Sequence, residues 1–123
     1  MNDAKFDFES LSVYQKSLDF IDSVYKISSS FPDYEKYGLK SQFTRAANSI
    51  ALNIAEGYGE SNNLFSRYLK ISKGSVRECV VCTSISLRRE YISAQIHNNL
   101  RADLFELSKM LMGLQKFIQR QPK

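Results

Sequence analysis

Residues 100–118 read LRADLFELSKMLMGLQKFI. Leu100, Leu104, Leu107, Leu111, Leu114 and Ile118 follow one another at intervals of four, three, four, three and four. That alternation is the seam of a helix packed in a left-handed bundle. The segment therefore predicts a helix over about 94–119, capped by Ser93 after the break at "YIS". Upstream, Ser61 or Asn62 caps a helix over about 62–89, in which Phe65, Leu69, Ser72, Ser75, Val76, Cys79, Thr83 and Ser86 share one half of the surface. A helix over about 37–58 carries Leu39, Phe43, Ala46, Ala47, Ile50 and Ile54 inward and ends near Gly57 and Gly59. A first helix over about 10–31 has the stripe Tyr14, Leu18, Ile21 and Tyr25, widened by Val13, Phe20, Val24 and Ile27, and Pro32 closes it. No segment alternates like a strand, so the expected fold is all-α: a single domain, residues 1–123, forming an antiparallel up-and-down four-helix bundle.

Composition sets the outer limits. A length of 123 residues can bury a core without disulfides or metals. With 43% hydrophobic and 24% charged residues, two prolines and five glycines, the chain has the balance of a globular domain with little linker sequence. The acidic start MNDAKFDFES has no signal-like apolar run, and no stretch approaches the roughly 20 apolar residues of a bilayer span, so a cytoplasmic location without membrane insertion is expected. Cys79 and Cys82 have C-x-x-C spacing, but a zinc site needs more ligands than they and the sole histidine, His97, supply. Lying well inside a helical pattern rather than at its start, they read as small core residues.

One helix carries an unusual polar line. In RAANSIALNIAEG, residues 45–57, and just before it, Gln42, Arg45, Ser49, Asn53 and Glu56 project within about 80° of one another beside the apolar face. Arg45 and Glu56 are separated by about 16 Å of helix, too far to pair with each other. Their partners are solvent, a neighbouring helix or another subunit, and the spacing alone leaves all three open. Catalysis is not expected from the line, because one carboxylate beside one arginine supplies neither a nucleophile with its base nor a pair of carboxyls with separated pKa values. The Glu-x-x-His motifs of di-metal bundles are absent from the sequence.

The stretch YGLKSQFTRAANSIALNIAEGYGES (37–61) and the stretch FSRYLKISKGSVREC (65–79) resemble the four-helix bundle proteins encoded in intervening sequences of bacterial 23S ribosomal RNA genes. The resemblance runs from VYQKSLDF to the "YIS" before the last helix, and beyond that only the periodicity matches. It implies a small antiparallel bundle that assembles into a homopentameric ring, without enzymatic activity or cofactor. It also implies similarity to the accessory variability proteins of diversity-generating retroelements, basic pentameric barrels that bind nucleic acid and a reverse transcriptase. Ala51 stands where many members of the family carry proline. On this resemblance the polar line is expected to be a hydrogen-bonded network inside the bundle or across a subunit boundary.

The charge is uneven. Residues 1–34 hold three basic and six acidic side chains, residues 63–90 six and two, and residues 100–123 five and two, within a net charge of +4. A positive field on the later helices attracts phosphate backbones, which makes Lys70, Lys73, Arg77, Arg88, Lys109 and Lys116 candidate contacts to RNA or DNA. Val81 and Ile85 fall on the charged side of their helix, and Phe105 and Met112 away from the leucine seam, which fits contacts between subunits. The alternative is a scaffold or adaptor that binds a protein partner and no nucleic acid.

Overall fold

The structure, a computed structural model, describes residues 4–121. Four helices, α1 (Ser12–Ser28), α2 (Leu39–Gly57), α3 (Asn62–Arg88) and α4 (Ala94–Gln119), are joined by short connections, with 3-10 turns at Asp7–Ser10 and Asp33–Glu35, and the described residues contain no strand. Cross-helix bonds fix the directions. Ser72 Oγ donates to the Ile50 carbonyl at 2.9 Å and Ser75 Oγ to Ser49 Oγ at 2.9 Å, so α2 and α3 run antiparallel. Gln115 Nε2, late in α4, donates to the Ser66 carbonyl early in α3 at 3.0 Å, and Lys16 on α1 pairs with Asp103 and Glu106 on α4. Neighbours in sequence are thus neighbours in space, and the contact between α4 and α1 is the thinnest of the four sides.

Each helix end has a local cause. α1 stops at Ser28, short of the expected residue 31, because Ser29 and Ser30 turn their hydroxyls onto the carbonyls of Lys26 and Ile27 and the backbone tightens into i to i+3 bonds. At the start of α2 the Leu39 amide donates to Glu35 Oε1 at 3.0 Å, so a carboxylate upstream serves where Gly38 has no side chain to cap. Ser61 and Ser93 cap α3 and α4 by accepting from the amides of Leu64 and Ile96. Of the two glycines expected to end α2, only Gly59 is left-handed, at φ 85°. Gly57 is the last helical residue, and its role is contact. A Cβ there would lie 2.7 Å from Tyr68 Cβ, so only glycine lets α2 meet α3 this closely. The end of α3 uses a left-handed Glu90 at φ 63°, with the Tyr91 amide donating to the Ser86 carbonyl.

The core follows the expected faces with one shift. Leu100, Leu104, Leu107, Leu111 and Ile118 are buried and Leu114 half-buried, as the seam requires. In α1, however, the fully enclosed residues are Val13, Ser17, Phe20, Val24 and Ser28. The expected stripe of Tyr14, Leu18, Ile21 and Tyr25 sits at the flank toward α2, the first three half-buried and Tyr25 50% exposed. α2 continues without interruption through the buried Ala51.

Candidate subunit and nucleic-acid interface

The polar line of α2 divides. Ser49 and Asn53 lie on the flank toward α3, where Asn53 Nδ2 donates to Ser49 Oγ at 2.9 Å and to the Ser49 carbonyl at 2.8 Å, and Ser75 of α3 donates to Ser49 Oγ. These residues form a network inside the bundle. Gln42, Arg45 and Glu56 are exposed, and their side chains have no hydrogen-bond or ion-pair partner among the described residues. Within this chain the expected five-residue network is therefore a pair of residues plus Ser75. Beside it, Ser72, fully enclosed, donates to the Ile50 carbonyl and adds a second tie between the same helices.

The basic candidates fall on two helices. Lys70, Arg77 and Arg88 are exposed along the outer side of α3, with Lys73 half-buried toward α4. A shallow cavity of about 490 Å³ opens between α2 and α3 and is lined by Ser49, Lys70, Ile71, Gly74, Ser75, Arg77 and Glu78. The structure thus brings the middle of the polar line against the middle of the basic stripe. Two cations flank Gly74, over which the Arg77 guanidinium lies, the half-buried Ser49 is the hydroxyl nearer the opening while the buried Ser75 is bonded to it, and one carboxylate, Glu78, also lines the cavity. Arg88 lies eleven residues beyond Arg77, about 16 Å along the helix, outside this cavity. Lys109 and Lys116 are exposed on α4, where the Lys109 ammonium sits 5.5 Å over the Phe105 ring.

The four apolar candidates are all at the surface: Val81 is 57% exposed, Ile85 38%, Phe105 68% and Met112 42%. Leu52, on the outer side of α2 between Arg45 and Glu56, is 66% exposed and belongs with them. Both cysteines are buried and free. Burial pushes the Cys82 thiol up to about 11, with the Glu78 charge adding to it, and raises Cys79 as well, so neither supplies a thiolate at neutral pH. Among the described residues no group of three or more His, Cys, Asp and Glu side chains is placed to hold a metal ion, and no helix is long and apolar enough to cross a membrane.

Two polar clusters were not anticipated. At one end of the bundle Tyr91 Oη donates to Glu35 Oε2 at 2.7 Å and lies 3.1 Å from Tyr34 Oη, fastening the α1–α2 connection to the α3–α4 turn. The Leu39 amide and then Tyr91 hold the Glu35 carboxyl below its ordinary range, while hydrogen bonding to Tyr34 and to Glu35 raises the Tyr91 phenol. At the other end Ser66 Oγ accepts from both Gln115 and Gln119 at 3.1 Å. In sequence these are a serine and two glutamines 49 and 53 residues away, with no periodic signal to join them.

The family's sequence model, described as 23S rRNA-intervening sequence protein, matches residues 9–113. The chain belongs to this family. The match covers α1, α2, α3 and most of α4, further than the resemblance legible in the motifs, which stopped before the last helix. A crystal structure of a protein of unknown function from the S23 ribosomal protein family of Bacteroides thetaiotaomicron superposes with a TM-score of 0.78 over 85% of this chain and 98% of that one, at 24% identity. At that identity the likeness is one of fold. No curated protein sequence matches this chain significantly.

Proposed function

We propose that this member of the 23S rRNA-intervening sequence protein family is a non-enzymatic, cytoplasmic protein that assembles with copies of itself, as a homopentameric ring, and binds the phosphate backbone of nucleic acid along the outer side of α3. One observation carries the reading: Lys70 and Arg77 flank Gly74 on the wall of a cavity between α2 and α3 that is also lined by Ser49. Two cations beside a hydroxyl suit phosphate oxygens and carry no base-reading geometry, so the expected binding is independent of sequence. A ring repeats the patch once per subunit, which raises avidity on a polyanion without any new contact. The same reading extends to a kinship with the accessory variability proteins of diversity-generating retroelements, which is part of this proposal. It assigns no cofactor.

The test is binding of a generic RNA or DNA duplex across a salt series, alongside light scattering for solution mass. Affinity is expected to fall steeply with salt, and Lys70→Glu with Arg77→Glu is expected to weaken binding at least about tenfold and flatten the salt slope. Absence of binding at low salt by the intact oligomer overturns the nucleic-acid assignment. It would leave the adaptor reading, in which the exposed apolar positions Val81 and Ile85 face a protein partner whose capture is insensitive to nuclease.

A further inference from the structure

We infer that subunits join head to tail, the outer seam of α4 in one copy seating in the groove between α1 and α2 of the next. This rests on the self-assembly proposed above and names the two faces that meet. The groove has a volume of about 490 Å³ and is lined by Phe8, Tyr14, Leu18, Ile21, Ala51, Leu52, Ala55 and Asn48. Its floor is low because α2 presents alanines there, and within one chain nothing else among the described residues covers it. On α4, a second seam runs beside the leucines, on the flank toward α3, where Arg101 and Phe105 share a cavity with Val76, Arg77 and Val80. Arg101, Phe105, Lys109, Met112 and Lys116 recur at intervals of four, four, three and four residues, and all five are exposed. Two large apolar side chains are thus set between three cations, a ridge with the dimensions of a single helix edge.

Charge selects the pairing. Asp7, Asp19, Asp22, Glu56 and Glu60, exposed around the α1–α2 side, outnumber the exposed Lys5, Lys26 and Arg45 and the half-buried Lys40 there. On α4 the only acids near the ridge, Asp103 and Glu106, turn to the α1 flank and are held by Lys16 at 3.6 and 2.9 Å. The ridge is left cationic and the groove is left anionic, so ridge against groove is attractive whereas ridge against ridge sets lysines and arginine against one another. Because ridge and groove occupy different places on the chain, the contact is heterologous and propagates until it closes. Lys109 and Lys116 then belong to the subunit contact, and the α3 stripe alone remains for phosphate.

Two single variants and their mixture test this. Phe105→Asp spoils the ridge and leaves the groove, whereas Leu52→Asp spoils the groove and leaves the ridge; both positions are more than half exposed, at 68% and 66%, so helicity by circular dichroism is expected to match the parent. By sedimentation velocity each variant alone is expected to associate at least about 30-fold more weakly than the parent and to run as a monomer. An equimolar mixture is expected to recover a two-chain species, since one intact ridge meets one intact groove and the second contact is blocked on both sides. Variants that keep the parent mass overturn this pairing while leaving self-assembly standing, and variants that dissociate but give no two-chain species on mixing overturn it equally. A parent chain that is itself monomeric at high concentration removes the proposed assembly and this inference together.

Discussion

The seam between α2 and α3 and the seam of α4 bury comparable lengths of helix by opposite means. Along α4 the work falls to Leu100, Leu104, Leu107 and Leu111, all at 2% exposure or less, which fill space with branched aliphatic bulk. Along α2 and α3 the small residues Gly57, Ser72 and Ser75 are interleaved with the buried Ile50, Ile54, Phe65 and Leu69, and they let two backbones come close enough for Ser72 to reach the Ile50 carbonyl. A leucine seam tolerates some sliding, since one methyl contact substitutes for another. A seam of small hydroxyl residues does not, because each hydrogen bond names its partner. Rigid register between α2 and α3 is what keeps Ser49, Lys70 and Arg77 around one cavity.

The largest effect expected of the substitutions that probe this contrast is Leu107→Ala. Leu107 is fully buried, and the loss of its side chain removes transfer energy and leaves a cavity, for a destabilisation of about 3–4 kcal/mol read from chemical denaturation. Retention of the parent midpoint would mean that the seam repacks freely and that bulk is not what holds α4. The second test moves to the other seam. Gly57→Ala adds one methyl group whose carbon would stand 2.7 Å from Tyr68 Cβ and 3.0 Å from Phe65 Cδ1. Neither neighbour is a free side-chain end, so the helices must part. The overpacking is expected to outweigh the helix-propensity gain of about 1 kcal/mol and leave a net loss of about 1–2 kcal/mol. The cavity beside Ser49 should widen with it, so nucleic-acid affinity is a second readout.

Third comes Ser72→Ala, which removes the bond to Ile50 without removing packing volume of consequence. The Ile50 carbonyl keeps its place inside α2, which continues to Gly57, so no orphaned acceptor results and the expected cost is about 1 kcal/mol in thermal or denaturant unfolding. A cost as large as that of Leu107→Ala would show that the small-residue seam is energetically the stronger of the two, reversing the comparison.

Leucine periodicity made α4 readable from the chain alone, because bulk at intervals of four and three is both the signal and the cause of packing. The helix ends were nearly as plain where a serine caps, as at Ser61 and Ser93. The short end of α1 was not, since three consecutive serines look like loop composition and act as hydroxyl donors to the last carbonyls. In α1 the two candidate stripes, Tyr14–Leu18–Ile21–Tyr25 and Val13–Phe20–Val24, are adjacent, and periodicity cannot say which one faces inward when both are apolar. The polar line was visible as a line but not as a divided one. Spacing places Arg45 and Ser49 together, and only the position of Ser75 on α3 decides that one finds a partner in the chain and the other does not. Long-range polar pairs such as Ser66 with Gln115 have no period at all, so that part of the molecule had to be seen in three dimensions.

The smallest effect expected is also the one that isolates contact from propensity. Gly113 lies in α4 as Gly57 lies in α2, both within the helix as it is formed. A Cβ built at Gly113 meets nothing within 4 Å. Gly113→Ala therefore changes only the unfolded chain's freedom and the helix's own preference, and should raise stability by about 0.5–1 kcal/mol. The same chemical change thus carries opposite signs in the close α2–α3 contact and on the exposed side of α4. If thermal unfolding of Gly113→Ala falls as that of Gly57→Ala does, the difference assigned to close approach disappears, and the glycine of α2 would have to be explained by backbone conformation instead. That explanation has little to work with, since the only glycine with positive φ among the described residues is Gly59.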